Sequence, residues 1–245
     1  MRYDSRFRTS YSYSSFFPAG VKWLLISNIA IFVFFSLPLG PEVERIFLLL
    51  ALSPLLVVQH FAIWQLATYM FLHGGISHIL FNMLTLWMFG MDLERDWGTK
   101  RFLKYYFFCG IGAGICDVVV NLALGSLNTR TIGSSGAIFG LLLAFGLLYP
   151  DRVVLMSFLF PIKAKYFVMI MGAIAFLGSM GNSGSGVDNV AHLGGMLFGY
   201  AYLRGRFLHL DAGKLMRRYQ EWKVQRARKK FQVYMRKQGR GPWVN

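Results

Sequence analysis

Long runs of apolar residues without a charge constrain this chain more than any other feature. A hydrocarbon core about 30 Å thick offers backbone groups no water, so a crossing segment needs about 20 mostly apolar residues in a helix. Trp23 to Pro41, Thr131 to Pro150 and Tyr166 to Val187 form such runs. Asn189 to Leu203 forms another, extended on its outer side by Val187 and Asp188 and on its inner side by Arg204. Tyr105 to Leu124 is broken only by Asp117, and the longer run from Ile46 to Met91 has room for a span at residues 76 to 92. Its first part, Ile46 to His73, carries Pro54, Gln59 and His60 where a span would be interrupted, and reads as an interfacial or re-entrant segment. The expected fold is therefore an all-α, polytopic membrane protein with a bundle of six transmembrane helices.

Composition agrees with this reading. Apolar residues make up 55% of the 245 and charged ones only 15%, which excludes both an ordinary soluble domain and a disordered chain. The only cysteines, Cys109 and Cys116, lie in one apolar stretch and read as free thiols, so a disulfide scaffold is excluded.

Charge placement supplies an orientation, because Lys and Arg accumulate in cytoplasmic loops. With six spans and the N-terminus inside, all of the 26 Lys and Arg except Arg45 and Arg130 fall on the cytoplasmic side. A seventh span within Ile46 to His73 would spoil that separation. The expected organisation is a cytoplasmic arm (1–20), a six-helix domain (21–204) and a basic cytoplasmic tail (205–245). The arm lacks the apolar core and small-residue cleavage site of a removable signal peptide, so the first span is read as an anchor. In the tail, Leu215, Tyr219 and Trp222 share a helical face and Phe231 and Tyr234 continue its apolar content, which suggests a helix on anionic lipid. The net charge of +15 is explained by orientation, so no nucleic-acid partner is expected.

Polar side chains inside spans are costly, which makes each a functional hypothesis until a partner explains it. His78 and Asn82 are one helical turn apart and project from one face. Gly133-Ser134-Ser135-Gly136 opens the fourth span, followed by Gly140. His192 lies in Ala191-His192-Leu193-Gly194-Gly195 in the sixth, followed by Gly199. Small residues four apart let membrane helices approach closely, and packing accounts for Gly136, Gly140, Gly195 and Gly199. If the fourth and sixth helices touch along those faces, Ser135 meets His192 at similar depth, a nucleophile beside its general base. His78, Asn82 and the backbone N–H of Ser135 are then the donors for an oxyanion, each typically worth about 3 to 4 kcal/mol. Asp188 reads as a helix cap, leaving a Ser-His dyad. Asp117 has no catalytic role and either faces loop water or pairs with a helix polar group. Glu94 and Arg95 read as a structural ion pair near the inner surface.

In combination these motifs resemble the rhomboid intramembrane serine proteases. The matching residues are Trp64-Gln65 and Thr68, Phe71-Leu72-His73, His78 with Asn82, Gly133-Ser134-Ser135-Gly136, and Ala191-His192 with Gly195 and Gly199. Gly90, Glu94 and Gly98 with Arg101 and Phe102 match the family between its second and third helices, and the resemblance runs from about Val21 to Arg204.

The resemblance implies Ser135 as nucleophile, His192 as base and then acid, and His78, Asn82 and the Ser135 N–H as the oxyanion site. It implies no third acid, no cofactor and no metal. The first loop would be a hairpin in the outer leaflet, and Gly181-Asn182-Ser183-Gly184-Ser185-Gly186 a cap over the site. Where the family often carries tyrosine, Phe139 can still pack on the His192 ring. The partner would be a single-pass transmembrane protein, approaching between the second and fifth helices and unwinding to be cut. A bacterial inner membrane with both termini cytoplasmic is the expected location. Two rivals are a catalytically inactive relative that binds membrane helices and a small transporter using buried His and Asp.

Overall fold

The computed structural model describes residues 17–156, 160–180, 189–205 and 223. The chain divides into two units, Met1–Ala201 and Tyr202–Asn245. Of the second, the described residues 202–205 and 223 are helical. The arm up to residue 16, the 181–186 loop, Asp188 and the tail positions from Leu215 to Tyr234 read above lie outside the described residues.

In the first unit the helices are α1 (Ala19–Ser36), α2 (Pro41–Leu50), α3 (Pro54–His60), α4 (Gln65–Thr68), α5 (Ile76–Trp97), α6 (Thr99–Ala123), α7 (Ser135–Leu148) and α8 (Ala164–Ser179). A 3-10 turn, Tyr69–Phe71, follows α4, and residues 189–201 are helical and are called α9 here. Among the described residues α1, α5 and α6 are the helices long and apolar enough to cross a membrane by length and composition, while α7 and α8 are shorter apolar helices.

Two expectations about elements need correction. The span read as Thr131 to Pro150 is helical only from Ser135, because the preceding four residues form the turn that delivers the serine. The all-α expectation describes the helices but omits an antiparallel pair in the loop after α7, β1 (Val153–Met156) and β2 (Phe160–Lys163). Val153-Val154 begins a short β-prone run whose four residues are too few for a helix of comparable stability.

α6 is the centre of the bundle. Phe102, Tyr105, Tyr106, Cys109 and Ala113 are fully buried, and among α1 to α8 the most extensive helix pairing is α6 with α7. Ten of the fourteen α7 residues are buried, so this helix, apolar on every side, is enclosed by protein rather than lipid. Tyr105 Oη donates to Gly140 O at 2.8 Å and Tyr69 Oη to Gly110 O at 2.7 Å, which locks α6 to α7 and to the first loop.

That first loop is broken into α2, α3 and α4, the first two separated before Pro54 and the last two at Phe61, which has φ +52°. The polar residues that interrupt its apolar run close the α2 C-terminus, where the last carbonyls lack helical partners. Trp64 Nε1 and Gln65 Nε2 each donate to Leu49 O at 3.0 Å, and Thr68 Oγ1 donates to Leu50 O at 2.7 Å. Gln65 Oε1 accepts from Ser53 N at 3.0 Å.

Glu94 behaves differently from the expected ion pair with Arg95. Its carboxylate oxygens accept from Gly20 N and Val21 N at 2.7 Å each, and Thr99 Oγ1 donates to Oε1 at 2.6 Å. The side chain caps the first turn of α1, where unpaired N–H groups and the helix dipole favour an anion. Arg95 instead lies 3.8 Å from Asp92, which also meets Arg152 at 2.9 Å. Tyr149, just past α7, donates to Asp96, so the α5 C-terminus is tied to the hairpin loop.

Candidate active site

Three helices converge on the N-terminus of α7, and a short turn sets its starting point. Gly133 has φ +111°, a conformation L side chains rarely adopt, Ser134 is the N-cap and Ser135 the first helical residue. The turn is held from several sides. Thr131 exchanges both backbone hydrogen bonds with Leu52, at 3.0 and 2.9 Å, and Gly133 N donates to Tyr69 O at 2.9 Å. Thr131 Oγ1 donates to Asp117 Oδ2 at 3.2 Å, and Asn121 Nδ2 donates to Asp117 Oδ1 at 3.2 Å. Asp117 is fully buried, so of the two expectations for it, pairing with polar groups is the one the structure shows and loop water is not.

The small residues on α7 and α9 bring those helices into backbone contact. A Cβ added at Gly195 would lie 1.8 Å from Gly136 O, and one at Gly199 would lie 3.3 Å from the Gly140 Cα. One turn before Gly195, His192 Nε2 lies 2.8 Å from Ser135 Oγ. Phe139 stacks on the His192 ring, with centroids 4.2 Å apart and planes inclined by 3°. The stacking fixes the ring plane, and the backbone contact fixes its distance from the hydroxyl. Both Ser135 and His192 are half-buried.

α5 supplies the third side. Asn82 belongs to its buried stripe, with Ile79, Met83, Leu86 and Gly90, and its Nδ2 has no hydrogen-bond partner among the described residues. A Cβ at Gly133 would lie 2.6 Å from His78 Nε2 and 3.7 Å from Asn82 Nδ2, so both side chains reach the turn that precedes Ser135. His73 packs edge-on against His78 at 5.1 Å.

The structure thus collects Ser135, His192, His78 and Asn82, the four side chains singled out from sequence, around one turn. Sequence reasoning missed the supports: the Tyr69 carbonyl, the Leu52–Thr131 bridge and the Asp117–Thr131 contact. The one available signal was Asp117 itself, an acid in an apolar helix 14 residues before Thr131. No group of three or more His, Cys, Asp or Glu side chains able to hold a metal occurs among the described residues.

Chemically, a hydroxyl within hydrogen-bond reach of an imidazole, beside side-chain amide and imidazole nitrogens and the free N–H groups of a helix start, is suited to acyl transfer. Apolar helices that bury such a site define a polytopic membrane protein with a serine–histidine pair. The Rhomboid domain family matches residues 60–208, and the chain belongs to that family and is an integral membrane protein. It is 37% identical over 137 residues to "Rhomboid protease GluP" of Bacillus subtilis, covering 56% of this chain and 25% of that protein. It is 35% identical over 170 residues to "RHOMBOID-like protein 6, mitochondrial" of Arabidopsis thaliana, covering 66% and 50%. A third relative, "Putative rhomboid protease YdcA" of Bacillus subtilis, is 35% identical over 137 residues, covering 56% and 64%. The chain therefore spans between a quarter and just under two thirds of the length of these relatives. They come from bacteria and from a plant protein named mitochondrial, so family membership does not choose the bacterial inner membrane expected from composition.

Proposed function

We propose that this protein is an intramembrane serine endopeptidase that cleaves the transmembrane segments of single-pass membrane proteins. The observation that carries the reading is the 2.8 Å approach of His192 Nε2 to Ser135 Oγ under the stacked ring of Phe139. Its support from outside the site is that relatives such as GluP are named proteases.

In the proposed reaction His192 is neutral, with its proton on Nδ1, and Nε2 accepts the Ser135 proton as Oγ attacks the scissile carbonyl. The resulting oxyanion accepts hydrogen bonds from Asn82 Nδ2, from His78 and from the Ser135 N–H at the positive end of α7. His192 returns the proton to the departing amine as the C–N bond breaks. Water then attacks the acyl ester with His192 again as base, regenerating the Ser135 hydroxyl.

The substrate helix approaches between α5 and α8, the route that the family resemblance implies. The contact between them passes through Phe89, stacked on Phe167 at 5.8 Å, and Phe81 and Trp87 on α5 face outward. An intact helix hides its carbonyls in hydrogen bonds, so the substrate must unwind near the site, and weak helix formers there are favoured.

The test is incubation of purified protein with a reporter transmembrane substrate, comparing wild type with Ser135→Ala and His192→Ala. Cleavage by wild type and its loss in both variants is the expected result. Cleavage retained by Ser135→Ala would exclude this serine as nucleophile. No cleavage by any form, together with capture of the intact reporter, would favour the inactive helix-binding reading.

A further inference from the structure

The loop joining α7 to α8 carries a surface that the peptidase reading does not use. β1 and β2 pair in the register Val153↔Lys163, Val154↔Ile162 and Leu155↔Pro161, and β2 passes without a break into α8 at Ala164. Alternate residues of a strand face opposite sides, so Val153 and Leu155 share one face. They are 61% and 50% exposed within the chain, and Phe160 on the other face is 62% exposed. An isolated two-stranded hairpin is marginal in water unless its apolar side is covered. This one leaves three large apolar side chains uncovered by protein.

Its polar residues are arranged at the base. Lys163 and Lys165 lie 3.2 and 3.0 Å from Asp151, while Arg152 is paired with Asp92 at 2.9 Å. Tyr166 is half exposed, with the Lys165 ammonium 5.3 Å from its ring centre. Tyrosine and lysine side by side at a helix end mark the level of lipid headgroups, where an aromatic ring and a long cationic side chain span the apolar and wet zones.

We propose that the β1–β2 hairpin docks on the surface of the membrane that holds the bundle. The end of the hairpin away from Lys163 tips into the acyl boundary, so Leu155 and Phe160 enter it from the two faces with Val153 nearer the headgroups, and Lys163 and Lys165 lie among anionic headgroups. The occupant is lipid because the exposed apolar hairpin continues directly into α8, whose outward apolar face, Met169, Ile174 and Leu177, lipid already covers. Lys163 and Lys165 against the single Asp151 carboxylate give the hairpin base the sign that attracts an anionic surface. The inference rests on the membrane embedding and is independent of the peptidase reading. Because β2 runs straight into α8, docking sets the depth of the α8 first turn.

The test uses full-length protein in vesicles of phosphatidylcholine and phosphatidylglycerol, with an environment-sensitive fluorophore on Leu155→Cys or Phe160→Cys. Wild type labelled in parallel corrects for Cys109 and Cys116, and Asp151→Cys is the water-side reference. Lipid-borne nitroxide near the headgroup should quench either hairpin label about fivefold more than the reference, as expected for side chains buried in the interface. Adding Lys163→Gln and Lys165→Gln should cut the preference for nitroxide phosphatidylglycerol over nitroxide phosphatidylcholine about 30-fold, two charges' worth at an anionic surface, since Asp151 is the same in both proteins. If Leu155→Cys does not reconstitute, Phe160→Cys carries the same readout. Quenching by aqueous iodide as strong as at position 151 overturns the docking. So does shielding that disappears at one copy per vesicle, which would mean a second chain covers the hairpin. A lipid preference unchanged by the lysine substitutions overturns the headgroup contact.

Discussion

Substituting Gly195 by alanine tests whether backbone contact between α7 and α9 sets the spacing of the serine and the histidine. The added Cβ would lie 1.8 Å from Gly136 O, whereas ordinary contact begins at 3.4 Å, so the helices must part by about 1.6 Å. Neither side offers a flexible side chain to absorb this, because the obstacle is backbone. His192 is one turn away, and Ser135 adjoins Gly136. Transmission of even half of that opening would stretch the 2.8 Å contact to about 3.6 Å, beyond a usable hydrogen bond. A misplacement near 1 Å in a reacting constellation costs about 100-fold, equivalent to about 2.7 kcal/mol of barrier. Gly172→Ala is the control, since its Cβ would meet only the flexible Met196 side chain at 3.4 Å. The assay is the initial rate of reporter cleavage by purified, monodisperse protein, with a melting curve on each variant. The expected outcome is a loss of about 100-fold for Gly195→Ala and little change for Gly172→Ala. Wild-type turnover by a normally melting Gly195→Ala protein would refute the spacing argument.

Three further outcomes follow from the same coordinates. Asn82→Ala should lower kcat by about 100- to 1,000-fold with little change in KM, because in the proposed reaction the amide meets the oxyanion and not the bound substrate, and steady-state kinetics reads the split. Glu94→Ala leaves Gly20 N and Val21 N without their acceptor and should cost about 2 to 3 kcal/mol of stability, measured by denaturation, while turnover per folded molecule is preserved. The hydrogen bond from Lys165, and then that from Lys163, hold the exposed Asp151 carboxyl below the usual carboxylate range. A lowered folded pKa stabilises above the unfolded value and loses that contribution as pH falls through the folded one. A small melting difference between wild type and Asp151→Asn should therefore be present at neutral pH and vanish in acid.

The apolar helices and the residues of the candidate site were legible because each leaves a strong physical trace. A membrane helix must be apolar over its whole length, and an unexplained serine, histidine or asparagine within one stands out. The paired glycines of α7 and α9 signalled which helices touch, and that contact is what brings Ser135 to His192. Glu94 was misread because an acid next to an arginine suggests a local pair, whereas its partners are backbone N–H groups more than 70 residues away. The β1–β2 pair was missed because four-residue strands carry too little periodicity to separate from a loop. The supports of the serine turn were hidden because the Tyr69 carbonyl and the Leu52–Thr131 bridge are backbone contacts, to which side-chain identity contributes nothing.

The central claim is that His192 activates Ser135. A fluorophosphonate probe, with the modified residue located by mass spectrometry, measures this without requiring a substrate. The account predicts one adduct, on Ser135, forming at least about 100-fold more slowly in a correctly folded His192→Ala variant, the scale of general-base assistance. Adduct formation at Ser135 that is equally fast without the imidazole would contradict it.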